Sequence, residues 1–186
     1  MNWTTYLEKT AGRKHSPILE KALSYVHTGH RALDLGSGAG NDARFLIGKG
    51  FMVDAVDSNP ESQRFLLPEV DFVQSTFDTY MFPLERYDLI NAQLALPFNS
   101  PETFNDMFEK LTKSLKCGGI FAGQFFGLKD AWAERGKITV HTHEEIHSLL
   151  QAYEVHLCKE EYTRKGTVQN GDKVWHIFHV IAERRT

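Results

Sequence analysis

The sequence predicts an α/β fold: an open, doubly wound, mostly parallel sheet of seven strands, with helices on both faces and a terminal antiparallel hairpin. Three observations predict it. Strand-like apolar runs alternate with helix-like stretches through most of the chain. A glycine-rich turn, Gly36-Ser37-Gly38-Ala39-Gly40, joins the first strand to the next helix. Near the end, two strand-like runs flank the turn sequence Gln169-Asn170-Gly171-Asp172.

Taken in order, Ser16 and Pro17 open a helix over 16–27, with Ile18, Leu19, Ala22, Leu23 and Val26 on one face. Residues 31–35 (RALDL) read as a buried strand. A short helix over 41–49 ends at Gly50, which suits a left-handed cap. Strands follow at 51–57 and 70–75, separated by a helical stretch over 60–67 that stops before Pro68. The fourth strand spans 87–94. Ser100 and Pro101 then open a helix with Phe104, Met107, Phe108, Leu111 and Leu115 on one stripe, ended by Gly118 and Gly119. Residues 120–126 form the fifth strand. Thr142 and Glu145 have capping-box spacing for another helix. Residues 155–163 and 173–183 make the final pair.

At 186 residues the chain reads as one domain, 1–186, with 1–29 as a helical entry or flap segment. Its 41% hydrophobic and 24% charged content excludes disordered, collagenous and low-complexity classes. A net charge of −3 provides no field for nucleic acid or an anionic membrane. Cys117 and Cys158 make no disulfide framework. The opening MNWTTYLEKT lacks an apolar h-region, and no apolar run reaches the roughly 18 residues of a membrane span. The expectation is a soluble cytoplasmic protein without a nucleic-acid or membrane partner.

The glycine turn carries the chemistry. Glycines let the chain turn sharply and let a ligand approach main-chain atoms, and the helix beyond offers free N–H groups. Asp57 ends the second strand 21 residues after Gly36, where a carboxylate can accept both ribose hydroxyls of a nucleoside. A dinucleotide fingerprint, G-x-G-x-x-G, needs glycine where this chain has Asn41. Asp34 also places negative charge beside the turn, which disfavours a pyrophosphate and suits a cation. S-adenosylmethionine carries a sulfonium and an ammonium and no phosphate.

The D-L-G-x-G-x-G turn, Asp57 and the strand order resemble class I S-adenosylmethionine-dependent methyltransferases, which have a Rossmann-like fold. The nearer resemblance is to their small tellurite-resistance-type branch. It rests on GRKHSPILEKAL, YDLINAQLALPF, LKCGGIFAGQFFG and the QNGDK turn. It implies S-adenosylmethionine as cofactor, with Gly36, Ser37, Gly38 and Gly40 lining the methionine and ribose part. Asp34 would hold the amino group and Asp57 the ribose. Ser58 and Asn59 would lie beside the adenine, with Thr76 and the Phe77 backbone N–H near its edge. Asn91, Ala92 and Gln93 would lie near the methyl group, and Arg13 would meet the cofactor carboxylate. The candidate catalytic residues are Gln93, Gln124 and His141. Gln124 equally suits satisfying a backbone group at the sheet end, and His141 suits a purely structural place. Trp3 and Tyr6 are either a frayed terminus or a flap.

Other constellations are weaker. His143-Glu144-Glu145-Ile146-His147 matches a zinc-protease pattern. Thr142 caps that helix, His147 falls off its apolar stripe and no third ligand is indicated, so no metal is expected. His176 and His179, three apart on a strand, face opposite ways. The fourth strand has no contiguous N-P-P-[YF] run, which the resemblance would require for amino-group methylation of bases or protein amides. The leading expectation is therefore methyl transfer to a small molecule by alignment and desolvation rather than covalent catalysis. The alternatives are a cofactor-binding regulatory protein without turnover and an NAD-dependent oxidoreductase.

Overall fold

The computed structural model describes residues 2–169 and 171–185. Its elements run α1 (Trp3–Thr10), α2 (Pro17–Ala22), β1 (Arg31–Leu35), α3 (Asn41–Gly48), β2 (Met52–Asp57), β3 (Asp71–Gln74) and β4 (Tyr87–Ala92). They continue with α4 (Phe104–Ser114), β5 (Leu115–Gly127), β6 (Val140–His141), α5 (His143–Leu149), β7 (Tyr153–Gly166) and β8 (Asp172–Arg184). The sheet order is β3-β2-β1-β4-β5-β8-β7. Strands β1 to β5 pair in parallel, and β8 runs antiparallel to both β5 and β7. This is the mixed Rossmann-like architecture that the alternation predicts.

The chain reverses direction of travel across the sheet between β1 and β4, which pair directly. In such sheets a ligand crevice opens beyond the C-terminal strand ends at the reversal. The glycine turn after β1 and the segment after β4 both lie there.

The elements differ from the sequence reading in five places. The sheet has eight described strands rather than seven, because Val140 and His141 pair in parallel with Phe126 and Gly127. Helix α4 begins at Phe104, since residues 101–103 are spent in a turn. It ends at Ser114, and β5 starts at once. Gly118, with φ of +76°, sits where the β4–β5 register shifts, so the glycine pair kinks a strand rather than ending a helix. Residues 60–65 form 3-10 turns rather than an α-helix, and the second helix passes from α-helix to 3-10 at Leu23. The turn position Asn170 lies outside the described residues.

Two faces of the sheet are covered. On one, α4 and α5 pack Phe104, Phe108, Leu111 and Ile146 against Phe121, Phe125 and Phe178. On the other, α2 and α3 pack Leu19, Ala22, Ala43 and Leu46 against Ala32, Val53, Ala55 and Leu89. Strand period sends Phe125 into the first core, while Phe126 joins a third cluster with Trp132 and Ile177.

Candidate functional site

A cavity of about 600 Å³ opens at the C-terminal ends of β1, β2 and β4, within the roughly 300–1,000 Å³ usual for small-molecule sites. Its first half is built by the glycine turn. Gly36, Gly38 and Gly40 all have positive φ, at +77°, +50° and +68°. A Cβ on Gly36 would lie 2.4 Å from the Ala95 Cβ, so only glycine fits there. A Cβ on Gly38 would meet nothing nearer than Leu7 at 3.8 Å, which leaves its bare backbone as an open floor. Asp57 pins this floor: its Oδ2 accepts from the Gly38 N–H (2.8 Å) and its Oδ1 from the Asn59 N–H (2.9 Å).

Asp34 lies beneath the turn, at the end of β1. Its Oδ1 accepts from Asn91 Nδ2 (2.7 Å), while its Oδ2 is buried without a partner. The Ser37 hydroxyl and Asn41 Oδ1 are likewise buried and unpartnered. Asp34, Ser37 and Asn41 all line the cavity, so these polar atoms lie at its wall. Burial pushes the Asp34 carboxyl up to about 8, with nearby Asp42 adding to the rise and the Asn91 hydrogen bond opposing it. A cation delivered to this spot would reverse that penalty.

A polar chain fixes the geometry behind Asp34. Asn91 Nδ2 also donates to Asp42 Oδ2 (3.1 Å), and Asp42 Oδ1 accepts from the Ser16 N–H (2.7 Å). Gln93 Nε2 donates to Asn91 Oδ1 (2.8 Å), while its Oε1 accepts from the Ser16 hydroxyl (2.7 Å). This clamps the entry segment, residues 11–16, against the strand ends. Asn41 Nδ2 holds the Thr10 carbonyl (2.9 Å) and so docks the end of α1.

The second half of the cavity is aromatic. Trp3, Tyr6, Phe98, Phe126, Trp132 and Trp175 line it. Helix α1 closes over it through Trp3 against Phe98, with ring centroids 5.4 Å apart, and through paired hydrogen bonds between Asn2 and Gln169. Trp3 and Tyr6 thus lie in a helix and line the cavity.

The cavity brings together Arg13, Asp34, Gly36, Ser37, Gly38, Asp57, Ser58, Asn59, Phe77, Gln93 and Gln124. Gly40 caps α3 behind the turn. Asn91 and Ala92 are fully buried and act on the site only through what they hold. Thr76 faces an adjoining cleft and pairs its hydroxyl with Thr79 (2.8 Å). Gln124 reaches the cavity, but its Oε1 accepts from the Leu94 N–H (2.8 Å) and so holds Leu94 at a φ of +51°. His141 does not line the cavity. It is buried between the rings of Phe104 and Phe125, centroids 4.6 and 5.5 Å away, and desolvation lowers its pKa to about 4. Its placement follows from β6, which the sequence reading treats as loop.

Asp42, the cavity-lining place of Asn41, His15, and Phe98, Trp132 and Trp175 of the aromatic half escape the sequence reading. Asp42 could have been found, since it stands in the first helical turn after the glycines. The aromatics have no shared sequence signal. In the His143–His147 pattern, Glu145 is consumed by the capping box with Thr142. Among the described residues no group of three or more His, Cys, Asp or Glu is placed to hold a metal.

Comparison with known proteins agrees with this geometry. Residues 32–119 match the family model described as a methyltransferase domain. Trans-aconitate 2-methyltransferase of Rhizobium rhizogenes is 31% identical over 99 residues, covering 50% of this chain and 38% of that protein. The chain spans less than half the length of the curated relatives it matches. TehB of Haemophilus influenzae superposes with a TM-score of 0.77 at 16% identity, covering 95% of this chain and 64% of that one. The Burkholderia thailandensis 1,6-didemethyltoxoflavin-N1-methyltransferase was solved with 1,6-didemethyltoxoflavin and S-adenosylhomocysteine. It superposes at 0.66 and 19% identity, covering 91% of this chain and 77% of that one. At these identities the superpositions establish the shared fold.

Proposed function

We propose, from the match of residues 32–119 to a methyltransferase-domain family, that the protein transfers a methyl group from S-adenosylmethionine to a small-molecule acceptor. The observation that carries the reading is the buried, half-unpartnered Asp34 carboxyl beside an open glycine floor. That site suits the cation of a sulfonium amino acid and penalises a phosphate. Asp57 accepts the ribose hydroxyls with its remaining lone pairs, while Ser58 and Asn59 flank the adenine. Phe77 packs nearby, and Arg13 at the mouth meets the carboxylate. Gly36, Ser37, Gly38 and Gly40 shape the floor. Asn91 and Gln93 act as positioning residues, since their amides are spent on Asp34, Asp42 and Ser16.

Bound S-adenosylmethionine supplies an activated methyl group on sulfur. The chain then has to align an acceptor in line with it and exclude water. Helix α1, latched to the β7–β8 loop, covers the cavity and serves that exclusion. We read residues 1–186 as a single cytoplasmic domain without a nucleic-acid partner.

Calorimetric titration tests the site. S-adenosylmethionine should bind the wild type, and Asp57→Ala should weaken binding about tenfold to a hundredfold, the worth of one charge-assisted hydrogen bond. Binding of NAD in preference would overturn the reading. A second reading, cofactor binding without turnover, draws on the engagement of both Gln93 and Gln124 in internal hydrogen bonds. Cofactor binding with no methylation across an acceptor screen would favour it.

A further inference from the structure

The acceptor's chemistry is written in the aromatic half of the cavity. Its six rings come from α1, from the loop after β4, from the end of β5 and the loop beyond it, and from β8. They form one connected wall: Phe98 to Trp132 at 6.0 Å, Trp132 to Trp175 at 5.6 Å, and Phe126 within 6.1 Å of both. The rings meet at 55° or more in each of these pairs, and Trp3 meets Phe98 at 84°. No parallel stack forms among them; Lys173 and Arg135 lie over Trp132 and Lys173 over Trp175, and the ring surface that lines the cavity is what a guest can meet.

One position in this wall is already filled. The Lys173 ammonium lies 3.7 Å from the Trp132 centroid, 3.9 Å from Trp175 and 4.6 Å from Phe126. It is buried and bonded to Asp130 Oδ1 at 2.5 Å. Asp130 in turn accepts from the Trp132 and His176 N–H groups. The protein has therefore placed its own cation in the cage that an ammonium ligand would otherwise seek. Lys173 does not line the cavity, and its charge is spent on Asp130. The cationic side chains that do line it, Arg13 and Lys14, belong to the entry segment beside the glycine floor. The Arg135 guanidinium lies over Trp132, 4.9 Å from its centroid, but like Lys173 it is not part of the cavity lining, so an oxyanion in the aromatic half would meet no lining cation.

We propose that the methyl acceptor is a neutral, planar aromatic molecule that lies against the Trp3, Phe98, Trp132 and Trp175 rings. This rests on the methyltransferase reading and narrows it. A heteroatom on the acceptor ring supplies the lone pair for the new bond to the methyl carbon. The electron pair of the broken carbon–sulfur bond stays on sulfur, and any proton on the heteroatom leaves to water. The rings position and desolvate the acceptor; the polar half holds the donor.

The test is calorimetry on the full chain. S-adenosylhomocysteine is titrated first, and then four probes into the saturated protein: 1-naphthol, its saturated analogue decahydro-1-naphthol, selenite and tetramethylammonium. The expected result is 1-naphthol binding at least about tenfold tighter than the saturated alcohol, with selenite and tetramethylammonium weaker still. Trp175→Leu should lose about fivefold or more in 1-naphthol affinity, and more than it loses for S-adenosylhomocysteine. Phe98→Leu, at the partly exposed rim, gives the same comparison should Trp175→Leu fail to fold. If any other probe matches 1-naphthol, or if both variants bind it as the wild type does, the proposal is overturned. If S-adenosylhomocysteine itself does not bind, the methyltransferase reading falls and takes this proposal with it. If it binds while 1-naphthol gains nothing over its saturated analogue, the aromatic proposal alone falls.

Discussion

The two halves of the cavity are built by opposite strategies. The glycine half is local: Asp34 to Asn59 supplies its floor, its orphaned carboxyl and the Asp57 pin. Backbone conformation does most of that work, through three positive-φ glycines and two N–H groups held by one carboxylate. The aromatic half is assembled from positions as distant as Trp3 and Trp175, and side chains do the work. The lesson is that a ligand shared by many proteins is held by backbone, whose geometry changes little with sequence. A ligand particular to one protein is held by side chains that can be exchanged without disturbing the sheet.

The contrast can be broken most severely at Lys173. Removing one partner of a buried ion pair leaves the other charge stranded, at about 3–5 kcal/mol. Lys173→Met should lower stability by that order in urea unfolding, and adding Asp130→Leu should recover much of the loss. If the single substitution is neutral, the pair does not hold the aromatic half together. Next comes the glycine half. Gly36→Ala sets a Cβ 2.4 Å from Ala95 at a left-handed φ. Overpacking of roughly 1–3 kcal/mol and a left-handed penalty of about 1 kcal/mol should both appear. The same variant should fail to bind S-adenosylmethionine; unaltered binding would show that the turn relaxes and that this glycine is not required.

A titration sharpens the electrostatic side of the comparison. Burial raises the Asp34 pKa to about 8, above its unfolded value of about 3.9. Its contribution to stability is complete below about pH 4 and is lost as pH rises through 8, so Asp34→Asn should flatten that decline. By the same linkage, cation binding at pH 7 should release about one proton, read from binding heats in buffers of different ionisation enthalpy. Equal heats in every buffer would mean that Asp34 is not the group that meets the cation. The aromatic half has no such titrating group against its ligand, so 1-naphthol binding should release none.

Legibility followed the same division. Strand β1, the glycine turn and Asp57 are readable because their spacing is dictated by a single β-α-β unit, β1-α3-β2. The capping box of α5 is readable because it closes within four residues. Helix α4 was misread at both ends: Ser100 and Pro101 belong to a turn, and Gly118 serves a strand bulge that only pairing with β4 reveals. Of the two readings of His141, catalytic and structural, the structure carries the structural one: a two-residue pairing with β5 buries it among phenylalanines.

The sequence by itself determined the α/β architecture and the places of the glycine turn, Asp34 and Asp57 at the ends of β1 and β2. These depend on apolar periodicity and on glycine and carboxylate placement within short stretches of chain. Tertiary structure alone decided that Gln93 and Gln124 are committed to internal hydrogen bonds and that Trp3 covers a cavity. It alone decided that Lys173 fills an aromatic cage. Those facts arise where distant segments meet across the ends of the sheet, and contacts of that kind leave no periodic trace in any one segment.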